Sequence, residues 1–167
     1  MAMAASSSLY GKYGLVLPAT DLLKIWLQMR VPIQQWPCEF CKSLQPFTFR
    51  HGEGVYTCIA SARLVSDMAM ALQHVRRSAG YWHIVVVCRA SGYETHSMVA
   101  IRMNHSGKID CANSHGARQV KVAVAPDTFV CSYVVSCEVL NATSAMTGDV
   151  LPVPRADADW DRLVYLS

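Results

Sequence analysis

Charge is scarce in this chain of 167 residues: Asp, Glu, Lys and Arg make up 16% of it, while hydrophobic residues make up 52%. Soluble domains usually carry about 25% charged residues, so a large share of these side chains must be buried, and a disordered tail is excluded. The fifteen cations are scattered, and only Arg76 and Arg77 stand adjacent. Phosphate recognition needs a concentrated basic face, so no nucleic-acid partner is expected. Long apolar runs are missing too. Ile84–Cys88 is typical of those present, far short of the roughly 20 residues that cross a bilayer, so no membrane partner is expected either. The first residues, MAMAASSSLYGKYG, lack the basic start and continuous apolar core of a secretory signal. Residues 1–18 read as a flexible leader, and residues 19–167 as a single domain.

What is present falls into two parts. Thr20 can cap a short helix over Asp21–Arg30, with Leu22, Leu23, Trp26 and Leu27 on its apolar face and Pro32 ending it. An irregular stretch containing PCEFC, PFTF and HGEG follows, with one short strand at Phe47–Phe49. Leu64, Met68, Leu72 and Val75 recur at helical spacing, which predicts a second helix that starts near Thr57 or Ser61 and stops at Gly80. From Trp82 the pattern turns to β: His83–Cys88, His96–Met103, Lys108–Ala112, Gln119–Val124 and Thr128–Leu140. Helices first and strands afterwards predict an α+β domain with an antiparallel sheet.

Cys58, His96 and Asn113 are the candidate catalytic residues. A thiol attacks as thiolate, and a helix amino terminus or a neighbouring imidazole favours that form. Cys58 would stand at the head of the second helix, His96 would take its proton, and the Asn113 side-chain oxygen would orient the ring. The last pairing depends on the turn Asn104-His105-Ser106-Gly107. A four-residue loop pairs Met103 with Lys108, sets Asn113 opposite Met98, and makes His96 and Asn113 diagonal neighbours on one face. A three-residue loop with Gly107 left-handed turns Asn113 to the other face, unless a bulge restores the parity.

The stretch HSMVAIRMNHSGKIDCANSHG resembles the histidine-to-asparagine hairpin of papain-like cysteine hydrolases, and CIASA resembles the start of their nucleophile helix. The resemblance spans Cys58 to Gly116. It implies a papain-like fold and amide-bond chemistry on a protein substrate, with Cys58 as nucleophile, His96 as base and then acid, and Asn113 as orienter. Gly52 stands where that family usually has the glutamine that helps hold the oxyanion, leaving the Cys58 backbone amide as a donor. The short interval between Cys58 and His96 is more similar to compact papain-fold effectors that deamidate protein glutamines. Cysteine protease and deamidase therefore both stand. No cofactor is needed for either.

A metal site competes for the same sulfur. Cys38 and Cys41 have the spacing of half a zinc site, which His51 and Cys58 could complete. Such a chain would be a non-enzymatic, zinc-stabilised interaction or assembly protein. On one face of the hairpin, His96, Cys111 and His115 form a second possible cluster. Seven cysteines cannot all pair within one chain, and a reducing, intracellular compartment is the simplest setting, including that of an effector delivered into a host cell.

Overall fold

The structure is a computed structural model that describes residues 1–32, 42, 44–65, 82–88, 95–115 and 118–155. Among the described residues two helices, α1 (Ala2–Tyr13) and α2 (Ala19–Gln28), precede seven strands: β1 (Phe47–His51), β2 (Gly54–Val65), β3 (Trp82–Cys88), β4 (Thr95–Met103), β5 (Ile109–His115), β6 (Arg118–Val124) and β7 (Phe129–Ser144). They form a single sheet in the order β1-β2-β7-β3-β4-β5-β6, with every neighbouring pair antiparallel. This is an α+β fold, as the order of sequence patterns predicts.

Two expectations about local structure fail. Residues 2–13 form a helix rather than a flexible leader. Its sequence, AMAASSSLYGKY, has no polar side to turn to water, because Ala4, Ala5, Ser6, Ser7, Ser8 and Leu9 are buried in succession. Small residues let the helix be surrounded, and the hydroxyls are used: Ser6 donates to the Leu17 carbonyl, and Ser8 accepts from the Cys137 amide at 2.9 Å. Gly14 ends the helix in the left-handed region (φ 66°), its amide bonded to the Tyr10 carbonyl. Second, Thr57–Val65 is strand, not the start of a helix. The burial along Gly54–Ala60 alternates residue by residue, the period of a strand, so the helical spacing from Leu64 onward says nothing about the segment before it. The remainder of the predicted helix lies outside the described residues.

In α2, Leu22 and Trp26 are buried while Leu23 and Leu27 are exposed, a narrower apolar face than the sequence suggests. Pro18 rather than Thr20 occupies the N-cap position. The helix closes with the Val31 amide on the Trp26 carbonyl and the Arg30 amide on the Leu27 carbonyl, the Schellman pattern, although the left-handed position (φ 59°) holds Arg30.

The sheet has two apolar faces. On the face covered by the helices, Leu9, Leu22 and Trp26 pack with Phe47, Phe49, Tyr56, Cys58, Val135 and Cys137. The other face holds a smaller cluster, Met98, Ala100, Ile109 and Cys111, with Val122, Val124 and Phe129 against it. The chain connection explains how that cluster closes. Only residues 125–128, including a short 3-10 turn, join β6 to β7, yet β5, β4 and β3 lie between those strands. In a flat sheet four inter-strand steps would separate them by roughly 19 Å, and five extended links reach at most roughly 17 Å. The sheet must therefore curl, bringing Phe129 at the start of β7 onto the β5 and β6 residues of the cluster.

Beyond Val135, β7 runs past the end of the β3 ladder and keeps β2 as its strand neighbour. Its other edge meets α1. The amides of Cys137 and Val139 are bonded to the Ser8 and Tyr13 hydroxyls, at 2.9 and 3.3 Å. The helix thus stands in for a missing strand and satisfies backbone donors that would otherwise form an open edge.

Candidate functional site

Cys58 lies in the middle of β2, opposite Phe47 of β1 and Val139 of β7, and is wholly buried on the helix-covered face. The helix-head position that would activate it does not exist. No backbone amides converge on the sulfur there; its neighbour is another thiol. Ala60 pairs with Cys137 while Cys58 pairs with Val139, so the two cysteines are diagonal neighbours across β2 and β7. The neighbouring Cys58 thiol, followed by burial, pushes the Cys137 thiol up from its ordinary range.

His96 occupies β4 opposite Val87 of β3, three strand steps across the sheet from β2. Asn113 occupies β5 opposite Val120 of β6, four steps from β2. The hairpin between them combines both turn readings. Asn104 pairs with Lys108 through a 2.8 Å amide-to-carbonyl bond, leaving the three-residue loop His105-Ser106-Gly107 with Gly107 left-handed (φ 72°). A bulge then shifts the register between Ala100 and Arg102, so that Val99 meets Ala112. The bulge restores the parity that the short loop changed, and Asn113 shares a face with Cys111 and Ile109. Past Val99 and Ala112 the β4–β5 ladder stops, while β4 continues on β3 to Thr95 and β5 continues on β6 to His115.

The strand positions of His96 and Asn113 are therefore close in register, as the hairpin argument requires, but Cys58 is not beside Asn113. It lies four strands away on the opposite face, with the sheet between them. A nucleophile, base and orienter must be in hydrogen-bond reach in sequence, and this constellation lacks its nucleophile.

The zinc set fails for a related reason. Cys38 and Cys41 lie outside the described residues. His51 pairs with Gly54 at the far end of β1, whereas Cys58 pairs with Phe47. Four residues of strand put those pairs roughly 13 Å apart, too far for two ligands of one ion, each about 2 Å from the metal. The His51 ring instead packs edge-on against Tyr56, 6.5 Å between centroids. Cys111, a member of the second proposed cluster, is buried and donates to the Ile109 carbonyl at 3.6 Å. Burial and then the neighbouring Asp110 push its thiol up to about 12. Among the described residues no three His, Cys, Asp or Glu side chains group as metal ligands.

The densest polar constellation among the described residues is one the sequence reading missed. Lys12 donates to Ser136 at 2.8 Å and to the Glu138 carboxylate, Tyr13 donates to Glu138 at 2.6 Å, and Ser136 to Glu138 at 3.0 Å. Burial alone would push the Glu138 carboxyl up, but the hydrogen bonds from Lys12, Tyr13 and Ser136 hold it below the usual range. Tyr13 is pushed up to about 12, by burial first and by Glu138 second. Each group has its partner within the cluster, so the arrangement anchors α1 to β7. Its members lie more than 120 residues apart, and only the alternation Ser136-Cys137-Glu138 at the end of an apolar strand hints at it.

Set against known protein families, characterised proteins and solved structures, the chain matches none. Among the described residues no helix is long and apolar enough to cross a membrane.

Proposed function

We propose that this protein is a non-enzymatic interaction or assembly protein whose partner is another protein. The observation that carries the reading is the position of Cys58: no part of it is exposed, and it faces a second thiol inside the helix-covered core. A substrate carbonyl could reach that sulfur only by opening the core that α1 and α2 share with β1, β2 and β7. The surface supports binding more than catalysis. The turn that closes β7 is fixed by the Ser144 amide on the Asp149 carbonyl and the Ala145 amide on the Glu53 carbonyl. On it, Met146 and Val150 leave 84% and 83% of their surface in water. Rigid, exposed apolar side chains of this kind are what a protein partner covers.

Among the described residues, Lys24 is paired with Asp21, Lys121 with Asp110 and Lys12 with Glu138. No metal enters the proposal.

Iodoacetamide distinguishes the readings. In native protein Cys58 should stay unmodified for as long as the fold persists and react fully in denaturant, as peptide mapping would show, and Cys58→Ala should leave no hydrolytic or deamidating activity to lose. Rapid native alkylation of Cys58, together with loss of activity on casein or a glutamine-bearing protein in Cys58→Ala, would restore the thiol hydrolase and remove this proposal.

A further inference from the structure

Two thiols set diagonally on neighbouring strands can do something that a buried thiol alone cannot. Cys58 and Cys137 are diagonal on one face of the β2–β7 ladder, both wholly buried and both free thiols. A register irregularity between Thr57 and Cys58 lies beside the pair, and such a bulge gives the strands the local twist that draws one diagonal together. Diagonal positions in a regular ladder are roughly 7 to 8 Å apart at the backbone, slightly beyond the usual disulfide range, so closure needs a small approach of β2 towards β7.

We infer that Cys58 and Cys137 form a latent redox staple: a dithiol in the reduced protein that closes to a disulfide between β2 and β7 when the chain is exposed to a disulfide oxidant.

The reaction balances with oxidised glutathione as that oxidant. One cysteine, as thiolate, attacks a glutathione sulfur, breaking its S–S bond and expelling one glutathione thiolate. The other, having lost its proton to water, attacks the protein sulfur of the mixed disulfide and expels the second. Two protein thiols are oxidised, and one glutathione disulfide is reduced to two thiols. Burial makes this slow in the closed fold, because neither sulfur is accessible and the Cys137 thiolate is scarce. The rate is then set by opening of the β2–β7 ladder, which makes the staple respond to the combination of oxidant and loosening rather than to oxidant alone. Once formed, the bond ties together segments that are distant in sequence and restricts the unfolded chain, lowering its population by roughly a hundredfold or more.

The test incubates the intact protein with oxidised glutathione, in buffer and in urea just below its unfolding transition, and follows intact mass and non-reduced peptide maps. The expected result is loss of two hydrogens, a linked peptide pair containing Cys58 and Cys137, faster formation in urea, and a higher urea midpoint that dithiothreitol reverses. Cys58→Val should abolish the linked pair, and Cys137→Ala offers an independent loss if the first variant folds poorly. The inference is overturned if glutathione remains attached at either cysteine, if the maps show other pairings, or if the oxidised protein unfolds at the same or a lower urea concentration.

Discussion

The two halves of the sheet solve the same problem by different means. Around β1, β2 and the far part of β7, one face is covered by helices, with Leu9, Leu22 and Trp26 laid over Phe47, Cys58 and Val135. Around β4, β5 and β6, the cluster of Met98, Ala100, Ile109 and Cys111 is closed by the curl of the sheet, with Phe129 brought round from β7. β7 belongs to both halves: its first part pairs with β3 and its second part is edged by α1. Stability in one half therefore depends on helix docking, and in the other on strand curvature, with a single strand shared between them.

Truncations at the two centres are the strongest way to break this comparison. Trp26, wholly buried and edge-on to Phe47 at 6.2 Å, should cost about 3–5 kcal/mol on Trp26→Ala, and Ile109→Ala about 2–4 kcal/mol. If β7 couples the halves, both variants should show one cooperative urea transition at a lowered midpoint, with tryptophan fluorescence and circular dichroism coincident. Separate transitions would make the halves independent units.

A smaller effect isolates the contact between α1 and β7. Because the folded protein holds the Glu138 carboxyl below its ordinary range, the stability it contributes is present above the ordinary carboxylate pKa and is lost as pH falls through the lowered value. Tyr13 behaves with the opposite sign: raised from 10.0 to about 12, it contributes stability that is full below pH 10 and is lost as pH climbs towards 12. Glu138→Gln should cost about 1 kcal/mol at neutral pH, since the carboxylate is half exposed and screened. In urea titrations across pH it should flatten the acid limb, while Tyr13→Phe should flatten the alkaline one.

The smallest expected change lies outside both halves and raises stability. Arg30 is exposed and holds a left-handed conformation that costs a side chain about 1 kcal/mol. Arg30→Gly should recover about that much, seen as a rise of a few degrees in Tm, while leaving both the acid and alkaline limbs in place.

The strands from β3 to β7 were legible because each carries its own strand-like pattern. The expected ranges from His83 to Leu140 fall on β3 through β7, with ends shifted by a few residues. α1 was illegible for the converse reason. A helix buried on every side has no polar stripe, and AMAASSSLYGKY is indistinguishable by pattern from a leader. Cys58 was misplaced because helical spacing downstream was extended back over it, although Tyr56, Cys58 and Ala60 already alternate as a strand does. The hairpin shows a subtler limit. Loop length could be weighed from Asn104 and Gly107, but the bulge between Ala100 and Arg102 arises from the fit to neighbouring strands and has no local signature. The candidate trio failed on distance across the sheet, which no spacing along the chain encodes.

The seating of α1 on β7 also orders events during synthesis. α1 is made before β7 and meets Ser136, Cys137, Glu138 and Val139 only after the whole stretch between them has been added, a wait on the order of ten seconds. For that time the serine-rich segment has only Leu17 and α2 close by in sequence to pack with and lacks the strand that holds it in the finished fold. Its small side chains then serve the nascent chain: a helix of larger apolar residues would pack better in the finished protein but would spend the wait in search of the wrong surface.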